Sequence, residues 1–491
     1  MPHNIKKYIR TYNIEIILFF LSFLIFYFFK RAFITDWDGF EYIWDIYNSE
    51  RSGLVLGRLG YIYFFIIIWN FCKAFGLSIL SFHEVIFFFN IIFGSITVTF
   101  FYLLIKKIFS PAIALCSSML LLFSKDLILY SGSANSEVMM TLFIVASFCV
   151  YTSAFDGKSS AYLYLSAFLF GYAFEVREQT LFMIFFFMAV LPFESRIKVF
   201  TLKQYTVFIL IMAATSAIGP FTVYIIEGDA YIKSIVYTSS YNRIEFSHVK
   251  EAIKYVIEII NDGFGNIELP LLGFGVLLAK RRYKEILVSM ALFLPIAILT
   301  FYGNRQDRYF VVGYFSLALL SAFFLHYLCE VIAYPSMIKK WRKHIFLFLT
   351  LIVVIIRPTL FYNEVVAEDE YSRNMEVRGR DFLTKFPEDT VFLIGKWSPM
   401  MVFYYIPFTG SRKEVISSGW SWPGKGLDRK VEEYIVQNKT IVIAPTLYNN
   451  NEIIDVNRVM KKYHSEGNLL QISDDLFVIE KMRSAGNRRG E

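Results

Sequence analysis

Val138–Phe155 reads VMMTLFIVASFCVYTSAF, a run without a single Asp, Glu, Lys or Arg. As an α-helix rising 1.5 Å per residue, about 20 such residues cross the roughly 30 Å hydrocarbon core of a bilayer. Outward from it, about ten uncharged stretches of this kind recur, Tyr205–Ile226 among them. Between them, acidic residues gather in one set of loops and basic residues in the alternate set. Of the 491 residues, 56% are hydrophobic and 19% aromatic, more than a soluble chain of this length carries. The fold class expected is an α-helical polytopic membrane protein.

The net charge of +7 sits in short clusters flanking apolar runs. Those clusters are topology signals, and no nucleic acid is expected as a partner. Cys72, Cys116, Cys149 and Cys329 all lie inside apolar stretches and read as small hydrophobes. The histidines show no ligand spacing. Lys6, Lys7 and Arg10 precede an apolar run too long for a cleaved signal peptide, so a retained anchor is expected.

The segment Tyr61–Phe75 decides the topology. If it crosses, Lys106-Lys107, the cluster at 196–203, Lys280–Lys284 and Lys339–Lys343 all fall outside. If it lies along the interface, all of them are cytoplasmic, as the bias of Lys and Arg requires. Trp69, Tyr61 and Tyr63 also suit a juxtamembrane helix. About eleven spans follow, near 14–33, 84–105, 111–130, 137–155, 160–175, 179–194, 205–227, 267–280, 285–303, 309–333 and 344–362. The transmembrane domain is then 1–362. Residues 363–491, with β-rich runs at 391–394, 441–444 and 476–479 and a helical stretch at 427–437, read as a small extracytoplasmic α/β domain with a disordered basic tail.

Charges return to the outer face from four separate loops. The first contains Asp36-Trp37-Asp38-Gly39-Phe40-Glu41-Tyr42. The second is Tyr130-Ser131-Gly132-Ser133-Ala134-Asn135-Ser136-Glu137, explained equally by helix capping through Asn135 or Ser136. The third, Glu175-Val176-Arg177-Glu178, offers either a bidentate phosphate ligand in Arg177 or an ion pair with Glu175 or Glu178. The fourth is Asn304-Arg305-Gln306-Asp307-Arg308-Tyr309. The long outer loop 228–266 reads as a lid, with an interfacial helix over about Val249–Ile260 as the alternative for its second half.

These pieces, in order, resemble the GT-C superfamily of polytopic glycosyltransferases, near its protein mannosyltransferase and aminoarabinose transferase branch. The resemblance rests on Asp38–Tyr42, Gly60–Phe65 at the start of the juxtamembrane helix, Lys106-Lys107, Tyr130–Glu137, Gly171–Leu181 with Arg177, and Arg308-Tyr309. Arg58-Leu59-Gly60 stands where the family often has His-Pro-Pro.

The resemblance implies transfer of a sugar from a polyprenyl-phosphate carrier to a glycan, lipid or protein acceptor at the outer face of the cell membrane. Asp38 would be the base, with Asp36 beside it. Glu137, Arg177, Arg308, Arg305 and Tyr42 would bind substrate. No cofactor is required, and a divalent metal at Asp36 and Asp38 is compatible with the pattern. A transporter or flippase of lipid-linked sugars is the rival reading. It would place ionisable groups at the bilayer midplane, whereas Lys125 and Asp126 sit near a span end.

Overall fold

The computed structural model describes residues 2–35, 37–48, 58–190, 199–229, 231–233, 235–236, 249–265, 267–299, 307–332, 341–394, 412–417, 426–444, 450–473 and 476–479. The chain forms two compact units. The first comprises Met1–Arg31, Asp45–Leu77 and Phe82–Asp369, and the second Ala32–Trp44, Ser78–Ser81 and Glu370–Glu491.

The first unit is helical. Its elements include α1 (Pro2–Phe28), the end of α2 (Trp37–Asn48), α3 (Leu59–Ala74), α4 (Phe82–Ile108), α5 (Pro111–Leu122), α6 (Lys125–Ser131), α7 (Ser136–Gly157) and α8 (Ser160–Val176). A 3-10 turn, Glu178–Met183, leads to α9 (Phe185–Ala189) and α10 (Leu202–Glu227). Then come α11 (Val249–Ile259), a π-turn Ile260–Phe264, α12 (Glu268–Ala279), α13 (Tyr283–Leu299), a 3-10 turn Asp307–Gly313, α14 (Tyr314–Ile332) and the start of α15 (Arg342–Thr384).

Local chemistry sets several of these boundaries. Ser110 caps α5 by accepting from the Ile113 amide at 3.3 Å, with Pro111 in the first turn. Thr201 and Gln204 form a reciprocal capping box on α10. Between α12 and α13 the amides of Arg281 and Arg282 donate to the Leu278 and Leu277 carbonyls at 3.0 and 2.9 Å. This is a Schellman closure, with Arg281 at φ 53° where glycine usually sits.

The expected juxtamembrane helix is α3, whose Gly60 lies against the backbone of Glu175 and Val176 and accepts from the Tyr172 hydroxyl at 3.0 Å. Among the described residues, five helices are long and apolar enough to cross a bilayer, or six when α5 and α6, bent by 65°, count as one. Eleven were expected; the other five coincide with shorter described helices or with segments that run partly outside the described residues. Hydropathy registers apolar length but not breaks. The expected span at 179–194 begins as a 3-10 turn and a five-residue helix, and that at 267–280 is a helix of only 12 residues. Residues 237–248 of the lid stretch, like Asp36, Arg305 and the basic tail, lie outside the described residues; α11 occupies the interfacial alternative at 249–259.

The second unit holds a five-stranded sheet of β1 (Thr390–Ile394), β2 (Glu414–Ser417), β3 (Thr440–Ala444), β4 (Leu469–Ser473) and β5 (Leu476–Ile479), in order β2-β1-β3-β5-β4. β1 runs parallel to β2 and β3, while β5 is antiparallel to β3 and β4. Alternate residues Val391, Leu393, Ile441 and Ile443 share a buried core with residues of α16 (Leu427–Val436) and α17 (Asn450–Ser465). The break expected at 362/363 falls inside α15, which continues to Thr384.

Candidate active site

Charged residues singled out from three loops meet in the first unit. Glu137 opens α7, and its side chain is wholly buried. Its Oε1 lies 3.1 Å from Arg177 Nη1 and 3.2 Å from Arg308 Nε. Arg177 follows the last turn of α8 in extended backbone and is also wholly buried. Arg308 enters from the 3-10 turn before α14 and keeps 8% exposure. Tyr309 lies beneath both guanidiniums, its ring centroid 5.0 Å from Arg177 Cζ and 5.7 Å from Arg308 Cζ.

The surrounding hydrogen bonds fix these groups. Arg177 donates to Gln179 Oε1 at 2.7 Å through Nε and to Ser136 Oγ at 2.9 Å through Nη1. Asn135 occupies the N-cap position of α7, yet its side chain makes no capping bond. Instead its Oδ1 accepts from Arg308 Nη1 at 3.4 Å, and its Nδ2 donates to Ser133 Oγ at 2.8 Å. Asn90, buried in α4, donates to the carbonyls of Ser133 and Asn135 at 2.6 and 3.0 Å and to the Tyr61 hydroxyl at 3.3 Å. The turn 133–137 is thereby held from α3 and α4 as well as from the arginines.

Arg177 thus takes neither sequence-neighbouring glutamate as its ion-pair partner. Glu175 points to α10, accepting from the Gly219 amide at 2.9 Å. Sequence reasoning passed over Asn90, Ser136 and Gln179 as partners; a lone Asn inside an apolar helix was the available signal for the first.

Asp38 stands in the first turn of α2, in the second unit, where a carboxylate favours the helix dipole. Its side chain is half-buried. Tyr42, one turn on, is fully buried. Among the described residues no group of three or more His, Cys, Asp or Glu side chains is arranged to hold a metal.

Chemically, the cluster is a preorganised set of guanidinium donors. Buried carboxylate and hydroxyl groups hold Arg177, while Arg308 keeps 8% exposure. Such an arrangement suits recognition of an anion at a lipid–water boundary.

The profile of the family described as Dolichyl-phosphate-mannose-protein mannosyltransferase matches residues 63–221. No curated protein matches the sequence. Among solved structures, ArnT from Cupriavidus metallidurans bound to undecaprenyl phosphate is similar at TM-score 0.55 and 10% identity, over 96% of this chain and 97% of that one. The oligosaccharyltransferase of Archaeoglobus fulgidus, tethered to an acceptor peptide, is similar at TM-score 0.51 and 12% identity, over 89% of this chain and 70% of that one. The same archaeal enzyme in complex with an inhibitory peptide and a dolichol-phosphate gives 0.50 at 11% identity, over 89% and 70%. The chain is thus a polytopic membrane protein with the GT-C fold of membrane glycosyltransferases.

Proposed function

We propose that this protein transfers a sugar from a polyprenyl-phosphate carrier to an acceptor hydroxyl or amine at the extracytoplasmic face of the cell membrane. The observation that carries the reading is the convergence of Glu137, Arg177 and Arg308, of which Arg308 alone keeps any exposure. Arg308 engages the carrier phosphate, while Glu137 and Arg177 position it. Two structures of similar fold bind carriers of this class.

In the reaction the acceptor oxygen or nitrogen attacks the anomeric carbon as the bond to the carrier phosphate breaks. The leaving polyprenyl phosphate needs no proton, only cations to stabilise its growing charge. Asp38 takes the acceptor proton. A single displacement inverts the anomeric centre. Asp36 and Asp38 would hold a divalent cation if one is used; Asp36 lies outside the described residues.

The test is binding of undecaprenyl phosphate to the purified protein, followed by native mass spectrometry. Arg308→Lys keeps the charge but loses the planar fork, and affinity should fall about tenfold, roughly 1.4 kcal/mol. Unchanged affinity in a folded Arg308→Lys protein overturns the assignment. The orientation is checked by cysteine labelling after Lys107, Lys203 and Arg282, where access from outside intact cells refutes it.

A further inference from the structure

At the other end of α14 from Arg308 lies a cavity of about 370 Å3. It is large enough for a small ligand or a lipid headgroup. α14 has 19 residues, about 28 Å of helix, close to the roughly 30 Å of a bilayer core. The cavity therefore faces the leaflet opposite the carboxylate–arginine cluster.

Three turns build it: the α4–α5 junction at 108–110, the α12–α13 turn, and the last turns of α14. Its floor is apolar, with Ile113, Leu277 and Phe323 all buried. Its rim carries Lys280, Arg282 and Lys284 against Glu285 and Glu330. Lys280 lies 2.8 Å from Glu330 and 4.4 Å from the Tyr327 ring centroid. Arg342 reaches the same glutamate at 2.5 Å, so Glu330 is already engaged by two cations. Arg282 stays exposed, with Glu285 at 3.4 Å.

The turn that supplies the cations is strained. Arg281 holds the left-handed backbone of the Schellman closure, which L side chains disfavour. That conformation places Lys280 and Arg282 on the cavity rim on either side of it. A cationic rim over an apolar floor, beside lipid-crossing helices, matches an amphiphilic anion.

We propose that this cavity binds the headgroup of an anionic phospholipid from the leaflet opposite the transfer site. The phosphate meets Arg282, Lys284 and Lys280, and the glycerol and upper acyl carbons cover the apolar floor. Occupancy braces the α12–α13 turn against α14.

The full-length protein, purified in neutral detergent, is titrated with phosphatidylglycerol, phosphatidylcholine or inorganic phosphate while its melting temperature is followed. Phosphatidylglycerol alone should raise it in a saturable way. Arg282→Gln/Lys284→Gln leaves the Lys280–Glu330–Arg342 pairs intact and should raise the half-saturating concentration at least tenfold. Glu285→Gln removes a competing anion and should lower it about threefold. An equal effect of phosphatidylcholine overturns the proposal, as does full reproduction by inorganic phosphate, which assigns the site to free anion. Wild-type half-saturation in the double variant, or no shift with Glu285→Gln, also overturns it.

Discussion

Replacing Glu137 by Gln keeps the shape of the side chain and removes the charge shared by two guanidiniums. The carboxylate is wholly buried and lies 3.1 and 3.2 Å from nitrogens of Arg177 and Arg308. At an effective dielectric near 20 each contact is worth about 5 kcal/mol of gross attraction. Repulsion between the arginines and the desolvation of all three groups oppose it. Breaking one partner out of a buried ionic group costs about 3–5 kcal/mol, because the remaining charges are stranded. Glu137→Gln should lose that much unfolding free energy, measured by titrating SDS into mixed micelles. Arg177→Gln should lose a similar amount. The double variant strands only Arg308 and should be less damaged than the sum by about 1–3 kcal/mol. A Glu137→Gln protein within about 0.5 kcal/mol of wild type, or additivity within that margin, refutes the view that the three residues act as one unit.

Asp38→Asn should lower sugar transfer by about 10²–10⁴ at wild-type abundance, assayed with labelled carrier in membranes; near-normal transfer removes Asp38 as the base. A Cβ added at Gly273 would overlap the Leu320 carbonyl, whereas one at Gly275 meets nothing within 4 Å. Gly273→Ala should therefore cost about 1–3 kcal/mol by forcing α12 off α14, and Gly275→Ala should cost nothing measurable; equal effects contradict the close approach. In the second unit, burial pushes the Glu414 carboxyl up, but hydrogen bonds from Lys439 and Tyr434 and the charges of Lys439 and Lys430 outweigh it and hold it below its usual range. Its contribution is present above the ordinary carboxylate value and lost as pH falls through the lowered one. Hydrogen exchange over 412–417 in the full chain, corrected for intrinsic rates, should show acid loosening of β2 that Glu414→Gln abolishes; an identical pH profile in both excludes the linkage.

What the sequence discloses follows from how strongly a residue contradicts its surroundings. Glu137, Arg177 and Arg308 stand at the ends of apolar helices, where several charges recurring together are conspicuous. Their common leaflet could be read from span parity; their mutual contact could not, because 40 and 171 positions separate Glu137 from its partners. The same holds for Lys125, whose carboxylate partners Asp262 and Glu364 come from distant segments. In the second unit, runs of Val, Ile and Leu marked β1, β3 and β5, while β2 and β4 went unnoticed: Glu414 and Ser417 leave β2 only two apolar residues, and Gln471 and Ser473 dilute β4. Among the expected spans, α12 and the segment after Arg177 carry the composition of a membrane helix in a short described helix.

That short α12 has a mechanical consequence. Its 12 residues span about 18 Å, against roughly 30 Å of hydrocarbon. Leu271, Leu272 and Leu278 nevertheless stand exposed along it, available to lipid. A bilayer in contact with so short an apolar edge must compress or bend locally, at a fraction of a kcal/mol for each Å of mismatch. The protein therefore works as a gauge of film thickness. Long-chain lipids strain the α12 flank, short-chain lipids relieve it, and stability in vesicles should fall as acyl chains lengthen.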